Sequence, residues 1–238
     1  MRINVVTIFP DFFEAPLGTS IPGRAEAAGV VRYRVVDLRD FTHDRHRTVD
    51  DEPYGGGAGM VMKPEPFFEA MDALEPAGPI VLLSPRGRRF DHEIAVRYSM
   101  EPELTLLCGH YKGVDERVAT GLATEELSIG DYVLSGGEPA ALVVVDAVVR
   151  LLPGAMSDHE SAAGDSFYEG LLAPPAYTRP VEYRGMRVPE VLRSGDHRRV
   201  AEWRQQEAEK ATRIRRPELL DTEEDGTESR NPTDPTGD

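Results

Sequence analysis

The chain has 238 residues, 40% of them hydrophobic and 29% charged, and carries a net charge of -15. That composition is globular: no apolar run approaches a membrane span, and "MRINVVTIFP" lacks a cleavable signal, so a cytoplasmic protein without a membrane partner is expected. The single cysteine, Cys108, excludes an internal disulfide and, within the apolar run LTLLC, is expected as an inert core thiol rather than a nucleophile.

Apolar runs rich in β-branched residues predict strands at 2–9, 30–38, 79–84, 104–108 and 132–135. Between them, the spacing predicts helices over 64–75, which opens with prolines suited to a first turn, then 91–100, 113–122 and 139–152. Strand–helix alternation with continuously apolar strands indicates an α/β domain around a mostly parallel sheet. Pro153 and Gly154 stop the last of these helices, and the stretch after them, rich in Ser, Ala, Gly, Asp and Pro, reads as a linker. Helical patterns return at 189–194 and 197–211, the latter holding the only tryptophan, Trp203. The expected organisation is a domain over 1–154, a linker over 155–175, a small helical domain over 176–220 and an acidic tail over 221–238. Charge follows this division. Residues 179–216 hold eleven Lys and Arg against six acids, whereas 217–238 hold eight acids and one arginine. An acidic body alone argues against a nucleic-acid partner, but the basic segment, with Arg198, Arg199, Arg213, Arg215 and Arg216, suits an RNA contact.

Three glycine-bearing loops carry the chemical signal. "LLSPRGRRF", "LLCGHYKGVDERV" and "LSIGDYVLSGGEPA" each follow an apolar run, and in a parallel sheet such loops gather at the carboxyl edge, where small ligands bind. The Gly136-Gly137 pair suggests a ligand close to the backbone, yet no lysine for a phosphate and no dinucleotide fingerprint accompanies it. "DDEPYGGGAGM" is neither a Walker A loop nor GxGxxG, and reads equally as a mobile surface loop or a substrate-covering lid. His43 and His46 lack a third ligand, so no metal site is assigned. In "ESAAGDSFYEG", Asp165 is a carboxylate that ordering of the loop around a substrate could position as a general base.

These motifs, together with "DAVVRLLPG", "DSFYEGLLAPPAYTRP", "VPEVLRSGDH" and "RRPELL", stand in one order over about residues 1–220 and resemble the bacterial tRNA (guanine-37 N1)-methyltransferases, the TrmD family of the SPOUT superfamily. The resemblance implies a parallel-sheet SPOUT-type α/β domain with a deep trefoil knot, a small helical C-terminal domain that binds tRNA with G at position 37, and a homodimer whose active site is shared between subunits. It implies S-adenosyl-L-methionine as methyl donor, held by Leu83, Ser84, Pro85, Gly109, Ser128, Ile129, Gly130, Asp131, Tyr132, Val133, Leu134, Gly136 and Gly137. A sulfonium ligand without phosphate accounts for the missing lysine. The resemblance further implies Asp165 as the base for the N1 proton and Arg150 as the cation for the charge on O6; magnesium supports the family's activity, and no ligand for it is assigned. Two departures stand out. The family commonly has Arg-Tyr-Glu-Gly where this chain has His110-Tyr111-Lys112-Gly113, and Pro139 comes one place early. A ribose methyltransferase of the same superfamily, or a non-catalytic RNA-binding protein on this fold, is the alternative.

Overall fold

The computed structural model describes residues 1–156 and 164–220, and the chain divides into two compact units, Met1–His159 and Glu160–Asp238. The acidic tail expected over 221–238 lies outside the described residues.

In the first unit β1 (Arg2–Thr7) leads through the short α1 (Glu14–Leu17) and α2 (Ser20–Ala27) to β2 (Arg32–Asp37). A two-strand ladder, β3 (Asp50–Asp51) with β4 (Val61–Met62), brackets the glycine-rich loop. There follow α3 (Pro64–Leu74), β5 (Ile80–Arg89), α4 (His92–Ser99), β6 (Glu103–Cys108), α5 (Glu116–Gly121), β7 (Glu125–Ser128) and α6 (Glu138–Val149). Five strands pair in parallel in the order β2-β1-β6-β5-β7.

The alternation of side chains along the strands divides the core into two layers. Val5, Val81, Leu83, Leu104, Leu106 and Cys108 face one side, where α2, α4 and α6 contribute Ala25, Ile94, Tyr98, Val144, Val145 and Val148. Val6, Leu82 and Leu107 face the other, against Phe67, Ala70, Met71 and Leu74 of α3 and Val118 of α5. Every residue of β6 is buried. A strand covered on both faces must be apolar at successive positions, which is why LTLLC shows no period of two. The charged end of that strand is satisfied locally: Asn4 Nδ2 donates to Glu103 Oε1 (2.7 Å) and to Thr105 Oγ1 (3.0 Å).

The expected strand at 132–135 is absent. The fifth strand is β7, ending at Ser128, and Tyr132, Val133 and Leu134 form an irregular, exposed segment, with Val133 83% exposed. Their β-branched and aromatic character therefore serves a surface and not a sheet. β5 also runs past its expected end to Arg89, with a register irregularity between Leu83 and Arg88. Gly87 makes this possible, since a methyl group there would stand 2.3 Å from the backbone of Glu126 and Leu127.

In the second unit, β8 (Glu182–Tyr183) and β9 (Met186–Arg187) form a small antiparallel ladder. The 19-residue α7 (His197–Arg215) follows, opened by Asp196, whose side chain accepts from the Arg199 N–H. Tyr177 packs against Trp203 of α7, ring centroids 6.3 Å apart. Residues 164–173, expected within a linker, fold with this unit: Leu172 N donates to Thr212 Oγ1 on α7 at 2.9 Å.

Candidate active site

The cavity lies where the first unit's strands end. Its wall comprises residues 82–86 of β5, residues 109–114 after β6, residues 126–128 of β7 and 129–130 and 132–137 after it, with Ala140 of α6 and Glu116 and Ala119 of α5. It encloses about 190 Å³. A parallel sheet exposes its carboxyl-end loops at one edge, so three loops far apart in sequence converge on one space.

Of the positions the resemblance assigns to the donor, Leu83, Ser84, Pro85, Gly109, Ser128, Ile129, Gly130, Tyr132, Val133, Leu134, Gly136 and Gly137 all line this cavity. Asp131 does not; its side chain is on the exposed surface. Arg150 is the C-cap of α6, the helix whose opening turn lines the cavity. Twelve helical residues separate these ends, about 18 Å along the axis at about 1.5 Å per residue. Arg150 does not line the cavity, and Asp165 is half-buried in the second unit.

Sequence reasoning missed Arg86, Glu116 and Glu126, and it noted His110 and Lys112 only as departures from the family; all five line the same cavity. Arg86 holds Glu116 in a bidentate pair (2.9 and 3.1 Å) and stands 3.7 Å from Glu126. The hydrogen bond from Arg86 holds the Glu116 carboxyl below its usual range, and the same contact raises Arg86. Lys112 lays its methylenes against Gly59 of the glycine-rich loop, where a methyl group would stand 3.0 Å from its Cγ. That loop is fastened to the cavity wall by main-chain bonds, Lys112 N to Met60 O (3.0 Å) and Met62 N to Gly113 O (3.0 Å).

The Gly136-Gly137 turn is shaped by the protein's own packing. Gly137 sits on the end of β6: its N–H donates to Gly109 O (2.8 Å), and a methyl group at its Cα would stand 2.8 Å from Cys108 Cα. At Gly136 a methyl group would stand 2.3 Å from Glu138 Oε2 and 2.4 Å from His110 Nδ1. The missing side chain is the space across which those two groups face each other, 3.9 Å apart. Glu138 is 3% exposed, and Thr7 Oγ1 donates to its other oxygen at 2.7 Å. Among the described residues, His110 Nδ1 is buried without a hydrogen-bond partner, while its ring meets Phe9 and Tyr111 edge-on. Cys108, fully buried beneath, has its thiol pushed well above the usual range by burial and then by Glu138, so it is a core group and no nucleophile.

Gly137→Ala is expected to lower stability by about 1–3 kcal/mol, the usual cost of overpacking, because backbone atoms cannot give way. Gly109→Ala, whose methyl group would meet only Val114 Cγ1 at 3.3 Å, should cost clearly less. Urea unfolding of both variants measures the difference, and equal losses would refute the packing account of the turn.

The chain matches the family model described as tRNA (Guanine-1)-methyltransferase TrmD over residues 1–222. Among named relatives, the tRNA (guanine-N(1)-)-methyltransferase of Persephonella marina is 54% identical over 224 residues, covering 92% of this chain and 88% of the relative. That of Limosilactobacillus fermentum is 52% identical over 227 residues, covering 92% and 90%. That of Geobacillus kaustophilus is 50% identical over 224 residues, covering 93% and 92%. A match through the parallel sheet, the strand-end cavity and the helical C-terminal region, at about half the positions, means that the chain belongs to the TrmD family of S-adenosylmethionine-dependent tRNA (guanine-N1)-methyltransferases.

Proposed function

We propose that this protein transfers the methyl group of S-adenosyl-L-methionine to N1 of the guanosine at position 37 of tRNA, 3' to the anticodon. The observation that carries the reading is the convergence of three strand-end loops on one cavity in a chain of this family.

The lining suits such a donor. Leu83, Ile129, Val133 and Leu134 provide apolar contact for an adenosyl group, and the main chain at Gly109, Gly130 and Gly136 provides polar groups at close approach. His110 Nδ1, buried and without a hydrogen-bond partner among the described residues, is a polar atom available to a ligand. Arg86 is already engaged by Glu116 and Glu126, so its charge is matched within the wall. When bound, the donor supplies an electrophilic sulfonium methyl with a neutral thioether as leaving group.

The protein's part is proton and charge management. Guanine N1 carries a proton at neutral pH, so its lone pair becomes available only as a base removes that proton. Asp165 is assigned this role and ends the step protonated, while the new N1–methyl bond forms and the sulfonium–methyl bond breaks. Negative charge shifts toward O6 as the proton leaves, and Arg150 is assigned to stabilise it. Because Arg150 stands about 18 Å from the cavity turn along α6, we assign the complete site to two copies of the chain, with catalytic groups of one serving the cavity of the other. The exposed Tyr132, Val133 and Leu134 at the cavity rim supply apolar surface for that association. The knot, tRNA binding by residues 176–220, support by magnesium and a cytoplasmic location belong to the same reading through the family.

A ribose-directed enzyme of the same superfamily would need no base for a ring N–H. Nucleoside mass spectrometry of tRNA incubated with labelled donor separates the two: 1-methylguanosine is expected, and a 2'-O-methylated nucleoside would overturn the assignment.

A further inference from the structure

We infer that Thr212 is a positioning residue for the loop that carries Asp165, so that α7 holds this carboxylate as a fixed part of its own body; the inference rests on the role proposed for Asp165. The loop is closed on itself and then tied to the helix. Ser166 Oγ accepts from Ala173 N at 2.9 Å, and Phe167 N donates to Leu171 O at 2.7 Å. The next amide, Leu172 N, donates to Thr212 Oγ1 at 2.9 Å. Two side-chain hydrogen bonds thus link the Asp165 loop to α7: Ala173 N to Ser166 Oγ, then Leu172 N to Thr212 Oγ1. Arg216, which follows the helix, places its guanidinium over the Phe167 ring, 5.7 Å from the centroid.

Thr212 is built for this one task. Its residue is 0% exposed, and Ala208, one turn earlier on the same face, is 6% exposed. The Thr212 hydroxyl donates its proton to Ala208 O at 2.8 Å, which leaves its oxygen lone pairs to accept from Leu172 N–H. Within a helix the hydroxyl offers no stability of its own, so a threonine buried here finds its reason in the loop amide it receives. The same helix carries Arg198, Arg199, Arg213 and Arg215 on its exposed surface. A helix seated on RNA through these cations would therefore bring the Asp165 loop with it, in one event.

Thr212→Val keeps the shape and removes the acceptor; Thr212→Ser keeps the acceptor. In the full-length protein with saturating methyl donor and tRNA, Thr212→Val is expected to lower kcat about tenfold, the factor that corresponds to about 1.4 kcal/mol of lost loop anchoring. The dissociation constants for donor and for tRNA should stay within about twofold of the parent. Thr212→Ser should restore kcat. An unchanged kcat in Thr212→Val, or a tRNA dissociation constant that rises with the fall in kcat, would overturn the inference. Asp165→Asn, measured alongside, separates this from the base assignment: full activity there with a slow Thr212→Val removes Asp165 as base and leaves the anchoring, whereas a slow Asp165→Asn with a fast Thr212→Val removes the anchoring alone.

Discussion

Asp165→Asn is expected to slow methyl transfer by about two to four orders of magnitude, the contribution of a positioned general base. Asparagine keeps the side chain's shape and takes away the proton acceptor, so the loss falls on turnover. Affinity for S-adenosyl-L-methionine should match the parent, because the cavity proposed to hold it is lined by residues between 82 and 140, in the other unit. Single-turnover rates and a donor titration measure the two quantities separately. Activity within a few-fold of the parent would remove Asp165 from the role, and a parallel loss of donor affinity would mean that the carboxylate binds the donor instead of serving as base.

The second large effect is a rescue. Gly130→Trp places a large side chain in the cavity wall, where even a methyl group would stand 2.5 Å from the Tyr132 ring. Asp165→Ala leaves the cavity intact and removes the base. Each variant alone is expected to be almost inactive. Unfolded and refolded together in equal amounts, random pairing of a two-fold symmetric assembly gives about half heterodimers. If the site is shared as proposed, the unblocked cavity in each heterodimer belongs to the chain lacking Asp165 and would be served by the intact Asp165 of its partner. The other cavity has both defects, so about one quarter of all sites should work. A mixture with confirmed heterodimers and only the summed activity of its parents would place the whole site within one chain.

Much of the fold can be read from sequence because burial on both faces leaves a plain mark. From Leu106 to Cys108 β6 is apolar at successive positions because helices cover it on both sides, and α3 begins at Pro64 where the reading placed it. Tyr132-Val133-Leu134 misled because the same residue types that fill a buried strand also line a cavity rim and an exposed surface, and composition does not distinguish these uses. The loops that form the cavity were legible as strand ends carrying glycine. What two of those glycines do was not: Gly137 is required by Cys108 and Gly109, nearly thirty positions earlier, and Gly136 by the facing His110 and Glu138. Nor does the sequence reveal that Leu172 and Thr212 pair across forty residues, since an amide-to-hydroxyl bond leaves no periodicity. The glutamate and arginine on the cavity wall escaped for a similar reason. Arg86 and Glu116 lie on different elements and become a site only when β5 and α5 are placed side by side.

Delivery of a methyl group from the strand-end cavity to N1 of one guanosine, at position 37, is the proposed reaction. The most direct measurement maps the product: unmodified tRNA transcripts, one with guanosine and one with adenosine at position 37, are incubated with labelled S-adenosyl-L-methionine, cut at guanosines, and the fragments analysed by mass spectrometry. A single methyl group is expected on the fragment from the anticodon loop, released as 1-methylguanosine, with no label in the adenosine-37 transcript. Label elsewhere in the tRNA, equal labelling of both transcripts, or a methyl group on any atom other than N1 would contradict it.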